Sequence, residues 1–310
     1  MSMSADRPTV RQLEYVVAVA DHRNFSRAAE ACGVSQPALS SQVKEVEDRL
    51  GLTLFERGRA GVSIPAHAVP VIELARRAIT AVDDVMTAAL GQQDELVGEV
   101  RVGVIPTMAP YLLPVLVEEL RRRHPRASPI LVEERTEPLV ARLRAGTLDV
   151  GLLASPVPAD DLRSQPLAVD AFRLALPADH PLAGTGPLPS GVLSGLPLLL
   201  LEDGHCLRDQ ALDVCAAVGA TSSGSIQATS LTTLCQMVAA GVGVTLLPES
   251  AVGLEAREGS GLTVRALRDP SPSREVVLAW RPTDPHGELY GRLATALAAP
   301  MQARCSRSTN

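Results

Sequence analysis

Aromatic side chains are scarce: one Trp, three Tyr and three Phe make up 2% of the 310 residues, so any core must be packed from aliphatic groups. Lysine is nearly missing as well. Lys44 is the only one, and the rest of the basic charge is arginine. No excess of positive charge marks the chain either, because the formal net charge is −6 and residues 1–63 hold eight Lys+Arg against eight Asp+Glu. Charge alone therefore gives no support for nucleic-acid binding, which must rest on a motif. No apolar run approaches the roughly 20 residues that span a bilayer. The opening MSMSADRPTV also lacks the apolar core of a signal peptide. A cytoplasmic protein with no membrane partner is expected. The five cysteines are odd in number and show neither C-x-x-C nor Cys/His metal spacing, which argues against a disulfide scaffold and a zinc site. No metal and no cofactor is expected, and a disulfide in a reducing cytosol would be transient.

Two of those cysteines lie in LEDGHCLRDQALDVC, residues 201–215. Leu207, Ala211, Val214, Cys215 and Val218 recur at helical spacing, so a helix is predicted to begin at or just after Cys206. A thiol at a helix N-terminus is expected to be acidified, with Arg208 adding to the effect and His205 helping if protonated or donating a hydrogen bond. Cys215 shares the apolar stripe and is expected to be buried and inert. Nine residues of helix separate the sulfurs by about 13.5 Å of rise, whereas a disulfide needs Cα atoms within about 7 Å. Joining them requires the helix to unwind, which is the physical basis of an oxidation switch. The plainer alternative is two unrelated structural cysteines. Cys32, Cys235 and Cys305 read as structural or incidental, with Cys305 in a polar tail.

Near the N-terminus, Leu13, Val16, Val17 and Ala20 follow helical spacing. A second short helix fits Ser26–Ala31 before Gly33, and a third is capped by Ser35, tolerates Pro37 in its first turn and ends at Gly51. Leu39, Val43, Val46 and Leu50 form its buried stripe. The opposite face carries Ser40, Ser41, Gln42 and Lys44, polar groups able to reach base edges and phosphates from a major groove. Leu52–Ile64 reads as a hairpin wing that places Arg57 and Arg59 against phosphates or a minor groove. Val71, Ala75, Ala78, Val82, Val85 and Ala89 then repeat at alternating spacings of four and three, the seam of a short coiled coil or of one packing helix. Beyond a hinge bracketed by Gly91 and Gly98, short apolar strands alternate with helices, which implies a parallel sheet covered by helices.

The run NFSRAAEACGVSQPALSSQVKEVEDRLGLTLFER resembles the DNA-binding domain of LysR-type transcriptional regulators, and MVAAGVGVTLLPESAV is similar to their effector domain. One departure stands out: Ile64-Pro65-Ala66-His67 replaces the family's usual Thr-x-Ala-Gly before the next helix. The resemblance implies an α/β chain with a winged helix-turn-helix at 7–65, a linker and dimerisation helix at 66–92 and a hinge at 93–98. A two-lobed, periplasmic-binding-protein-like α/β regulatory domain would follow at 99–300, with lobe I at 99–168 and 276–300, lobe II at 169–275 and a tail at 301–310.

Within that family the likeness is strongest to its hydrogen-peroxide-sensing members, through IPTMAPYLLP, LEDGHCLRDQALDVC and ATSLTTLCQMVAAGVGVTLLP. It implies that Cys206 is peroxidatic, that Cys215 is resolving, and that Thr107, Thr136, His205, Asp209 and Arg274 line the peroxide pocket. Thr107 and Thr136 would bond the peroxide oxygens, Arg274 would stabilise the departing hydroxide, and Asp209 would hold Arg274 or a pocket water. DNA contacts would fall on Ser35, Gln36, Pro37, Ser40, Gln42, Lys44, Arg57 and Arg59. The implied partners are double-stranded operator DNA, hydrogen peroxide, RNA polymerase, further copies of the chain as a dimer or tetramer, and a glutaredoxin or thioredoxin system. Two other readings stay open: a regulator that binds a small anionic metabolite between the lobes, and a thiol peroxidase. The first reading is not an enzyme.

Overall fold

The computed structural model describes residues 7–58, 61–89, 94–219 and 222–306, with backbone alone at 222–227. Arg59, residues 90–93 of the expected linker and hinge, and 307–310 of the expected tail lie outside the described residues. Two compact units make up the chain, residues 1–92 with 144–147, and residues 93–143 with 148–310.

In the first unit each of the first three helices begins at a side-chain cap. Thr9 and Gln12 form a reciprocal capping box at α1 (Val10–His22). Asn24 accepts from two backbone N–H groups at the start of α2 (Phe25–Ala31), and Ser35 caps α3 (Gln36–Leu50). Gly51 ends α3 at φ +65°, a left-handed conformation that suits glycine. Val16, Val19, Ala28, Leu39, Val43 and Val46 pack together with Leu54 and Phe55. Glu47 accepts from the N–H groups of Leu54 (2.7 Å) and Phe55 (3.1 Å), tying α3 to the wing. The wing is a pair of short antiparallel strands, β1 (Glu56–Gly58) and β2 (Gly61–Ser63).

The unusual Ile64-Pro65-Ala66-His67 stretch makes a single 3-10 turn at 66–68 before α4 (Val69–Ala89), and the His67 ring lies 2.8 Å from the Thr53 carbonyl. Pro70 falls in the first turn of α4, where its missing N–H costs nothing. Along the expected seam, Ala75 is buried and Val71 half-buried, while Ala78, Val82, Val85 and Ala89 are exposed.

The second unit is built from β3 (Gly98–Val104), α5 (Ala109–Arg123), β4 (Ala127–Glu133), α6 (Thr136–Ala145), β5 (Val150–Ser155) and β6 (Arg163–Pro177). Next come β7 (Leu188–Pro189), β8 (Leu198–Leu201), α7 (Cys206–Ala217), β9 (Ser222–Ala228) and α8 (Leu231–Ala239). The unit closes with β10 (Thr245–Pro248), α9 (Glu249–Glu255), β11 (Leu262–Arg268), β12 (Ser273–Trp280) and α10 (Gly287–Cys305).

The expected parallel sheet is corrected to a mixed one. β3 runs parallel to β4 and β5, but β12 is antiparallel to both β5 and β6. β6 is long enough to serve both lobes: Arg163–Ala171 pairs with β12, and Phe172–Pro177 pairs with β10 and β11. The expected boundary between residues 168 and 169 therefore falls inside one continuous strand. Pro166, which cannot donate to the ladder, sits where the β12 register slips between Val276 and Val277.

The expected polar tail is also different. Leu293, Leu297, Met301 and Cys305 recur every four residues along α10 and are all buried, because the helix packs on β6 and α5. Burial pushes the Cys305 and Cys235 thiols up to about 12, so both are inert at neutral pH. Among the described residues no helix is long and apolar enough to cross a membrane.

Candidate functional site

Gly204 opens the loop into α7 at φ +88°, and a Cβ there would lie 3.2 Å from the Arg135 side chain. The left-handed φ calls for glycine, and an added Cβ would also press on that side chain. Arg135 pairs with the Glu202 carboxylate and donates to the Asp203 carbonyl at 3.1 Å. His205 occupies the N-cap position without a side-chain capping bond, and half-buried Cys206 is the first residue of α7. Arg208 turns to Asp203 (2.8 Å) and the Leu201 carbonyl (2.9 Å), so its guanidinium is spent on the loop.

Arg274 reaches the same region from β12. Its Nη1 donates to Thr107 Oγ1 at 3.0 Å and its Nη2 to the Thr107 carbonyl at 3.1 Å. The sequence reading offered Asp209 as its holder, but Asp170 fills that role, accepting from Arg274 Nε at 3.0 Å. Asp170 Oδ1 accepts from Ser250 N (2.9 Å), and Oδ2 accepts from Ser250 Oγ (2.8 Å). Asp209, in the first turn of α7, is exposed and acts on Cys206 only as a nearby negative charge. Asp170 gives no signal of its own in the sequence. It is found only through the β6–β12 register, in which it sits opposite Arg274.

The expected acidification of Cys206 is not what the site produces. Burial pushes its thiol above the ordinary value, outweighing the Arg274 charge, the Thr136 hydroxyl and the Leu207 N–H, which all favour thiolate. Asp209 opposes them. The neutral thiol thus predominates at pH 7. The rate at which Cys206 is alkylated by iodoacetamide should therefore climb about tenfold per pH unit from neutral pH up to the thiol's pKa. A rate flat between pH 7 and 9 would contradict this.

Burial and the Arg135 charge lower the His205 pKa, so the ring is neutral at neutral pH and serves by hydrogen bonding. Its Nε2 is buried and unpartnered, 4.0 Å from Glu202, beyond hydrogen-bond reach. Thr136 Oγ1 is likewise buried without a well-formed hydrogen bond, and its hydroxyl acts on the Cys206 sulfur. Gln210 Oε1, one helical turn beyond Cys206, is a third such atom, and the sequence reading passed over it. Its signal was the i, i+4 spacing from Cys206. Cys215 lies on the apolar side of α7 with Leu207 and Ala211, 2% exposed, as expected.

On the first unit, Ser35 is spent on its cap, accepting from Ala38 N. Gln36, Ser40 and Gln42 are half-buried, and Pro37 and Lys44 are exposed. Gln42 is turned inward, accepting from Gln12 (3.0 Å) and donating to Glu45 (3.3 Å). Arg57 donates to Ser40 Oγ at 2.6 Å and stacks over the Phe25 ring at 4.0 Å, which braces the wing against α3. Lys44 pairs with Asp48 at the surface.

Residues 10–67 match the model of the bacterial regulatory helix-turn-helix proteins of the lysR family, and residues 93–301 match the LysR substrate binding domain. The chain belongs to the LysR family. Among its relatives, the hydrogen peroxide-inducible genes activator of Pectobacterium carotovorum is 40% identical over 293 residues, covering 94% of this chain and 97% of the relative. Full-length OxyR from Pseudomonas aeruginosa, solved with a cysteine-to-aspartate substitution, is similar with a TM-score of 0.80. It is 34% identical, with 94% of this chain and 98% of that one covered. A peroxide-bound cysteine-to-serine mutant of Corynebacterium glutamicum OxyR matches with a TM-score of 0.67 and 33% identity, over 97% of this chain and 94% of the other. Among the described residues of this LysR-family chain, no cluster of three or more His, Cys, Asp or Glu side chains could hold a metal ion.

Proposed function

We propose that the protein is a cytoplasmic, DNA-binding regulator of antioxidant genes that senses hydrogen peroxide at Cys206 and is switched by a reversible Cys206–Cys215 disulfide. The observation that carries this reading is Cys206 at the start of α7, acted on by the buried Arg274 charge and the Thr136 hydroxyl, with the buried and unpartnered Nε2 of His205 on the adjacent residue. The Cys206 thiolate attacks one peroxide oxygen, the O–O bond breaks, and the departing hydroxide takes a proton to become water. His205 and the Thr107 and Thr136 hydroxyls orient the peroxide, while Arg274 stabilises the charge on the leaving oxygen. Asp209 tunes the thiol through its charge.

The Cys215 sulfur then attacks the Cys206 sulfenic acid, forming the S–S bond and releasing a second water. Because one helix separates the two sulfurs by about 13.5 Å of rise, this step unwinds α7 and moves the groups packed on it. A dithiol reductant of the glutaredoxin or thioredoxin class supplies the two electrons that restore both thiols. The exposed seam of α4 joins copies of the chain into a dimer or tetramer, and the oxidised assembly engages operator DNA and RNA polymerase. Peptide mass spectrometry after near-stoichiometric peroxide should find the Cys206 and Cys215 peptides linked. An untouched Cys206 thiol would sink the proposal and favour a metabolite-sensing regulator.

The DNA contacts are assigned to Ser35, Gln36, Pro37, Ser40, Gln42, Lys44, Arg57 and Arg59. Arg57→Ala should weaken binding to all sequences by a similar factor and lower the salt dependence by about one phosphate contact. Gln42→Ala should lose about 1–3 kcal/mol on the operator alone. Titrating operator and random duplexes at two salt concentrations separates the two effects.

A further inference from the structure

We propose that Asp170 is a positioning residue for Cys206 chemistry: it holds the Arg274 guanidinium in place beside the thiol and is itself fixed by Ser250 of α9. This rests on the reading of Cys206 as the peroxide-reactive residue.

Asp170 and Arg274 are cross-strand partners at the point where β6 passes from pairing with β12 to pairing with β10 and β11. Both side chains are fully buried. Two guanidinium nitrogens, Nε and Nη2, lie 3.0 Å from the same oxygen, Asp170 Oδ2, which fixes the rotation of the guanidinium plane. With that edge taken, Nη1 is directed to Thr107 Oγ1 and Nη2 also reaches the Thr107 carbonyl. Ser250 supplies a backbone N–H to one carboxylate oxygen and a hydroxyl to the other, so Asp170 cannot turn away.

Arg274 exerts the largest influence favouring thiolate at Cys206. Asp170 therefore acts on the sulfur through Arg274. A buried ion pair is by itself a poor way to gain stability, since apolar side chains of similar size serve as well or better. A pair that must hold one charge at one place beside a reacting sulfur has a reason to be kept.

The test uses the full-length protein with Asp170→Asn and, separately, Ser250→Ala. In Asp170→Asn the carboxylate charge is lost and one oxygen becomes an N–H donor that meets either the Ser250 N–H or the guanidinium, so either the anchor of residue 170 or its hold on Arg274 is lost. Two quantities are read: the second-order rate of Cys206 oxidation by hydrogen peroxide, and the pH profile of Cys206 alkylation by iodoacetamide. Asp170→Asn should slow oxidation about tenfold to a hundredfold and move the alkylation profile to higher pH. In an Arg274→Ala background the same Asp170→Asn change should cost little more, because Asp170 acts through the guanidinium already removed. Ser250→Ala, which loses one hydrogen bond, should slow oxidation about fivefold and keeps the test alive if Asp170→Asn does not fold.

Wild-type oxidation rates and an unmoved alkylation profile in a folded variant would overturn the proposal. If the wild-type thiol ignores peroxide, the reading of Cys206 as sensor fails. The alkylation profile then still decides whether Asp170 acts on the thiol.

Discussion

Cys206→Ser is expected to abolish the peroxide-driven link to Cys215 and, with it, the response of target promoters to peroxide, while operator binding by the reduced protein stays intact. The serine hydroxyl does not ionise at neutral pH and cannot attack the O–O bond, so the reaction stops at its first step. Cys215 does not substitute for it, being 2% exposed and made less acidic by burial. Cys215→Ser separates the two steps. It should still consume one peroxide per chain and leave a sulfenic acid at Cys206 that a dimedone probe traps. A peroxide response that survives Cys206→Ser would place the sensor elsewhere.

Arg274→Ala carries the second large effect, in stability and reactivity together. It strips Asp170 of the guanidinium it pairs with while the carboxylate remains buried with the two Ser250 donors. Breaking a buried pair in this way costs about 3–5 kcal/mol, which thermal or denaturant unfolding would read directly. Loss of the positive charge should slow Cys206 oxidation about a hundredfold or more. Arg274→Lys should not restore it, because a single ammonium cannot span Asp170 and both Thr107 oxygens as the planar guanidinium does. A folded Arg274→Ala variant that oxidises at the wild-type rate would remove Arg274 from the mechanism.

The raised Cys206 thiol bears on how such a site works. Arg274 does not leave a resting thiolate, because burial outweighs it. In the proposed reaction its advantage would come later, as charge grows on the departing oxygen, where a fixed, buried cation is worth most.

The helix-turn-helix was legible because each of its signals is local. Ser35, Pro37 and Gly51 act within a few residues of themselves, and the apolar stripe of α3 needs only its own period. The burial of Cys215 and the start of α7 near Cys206 follow from the same kind of pattern. The linkage of Arg274 to Asp170 does not, since those residues lie 104 positions apart and meet only when β12 returns beside β6. Gln42 looked free on a polar face until Gln12 of α1 was brought against it, beside Glu45 of its own helix. Cys305 looked terminal and exposed until α10 packed against β6 and α5.

Short-range periodicity, capping and motif likeness were thus enough, in sequence alone, for the LysR-type architecture, for the start of α7 and for the burial of Cys215. Tertiary structure alone decided the mixed sheet, the true partner of Arg274 and the direction of the Cys206 pKa. Each of these depends on which distant strands lie side by side and on how much water they exclude, and neither quantity is local to any stretch of chain.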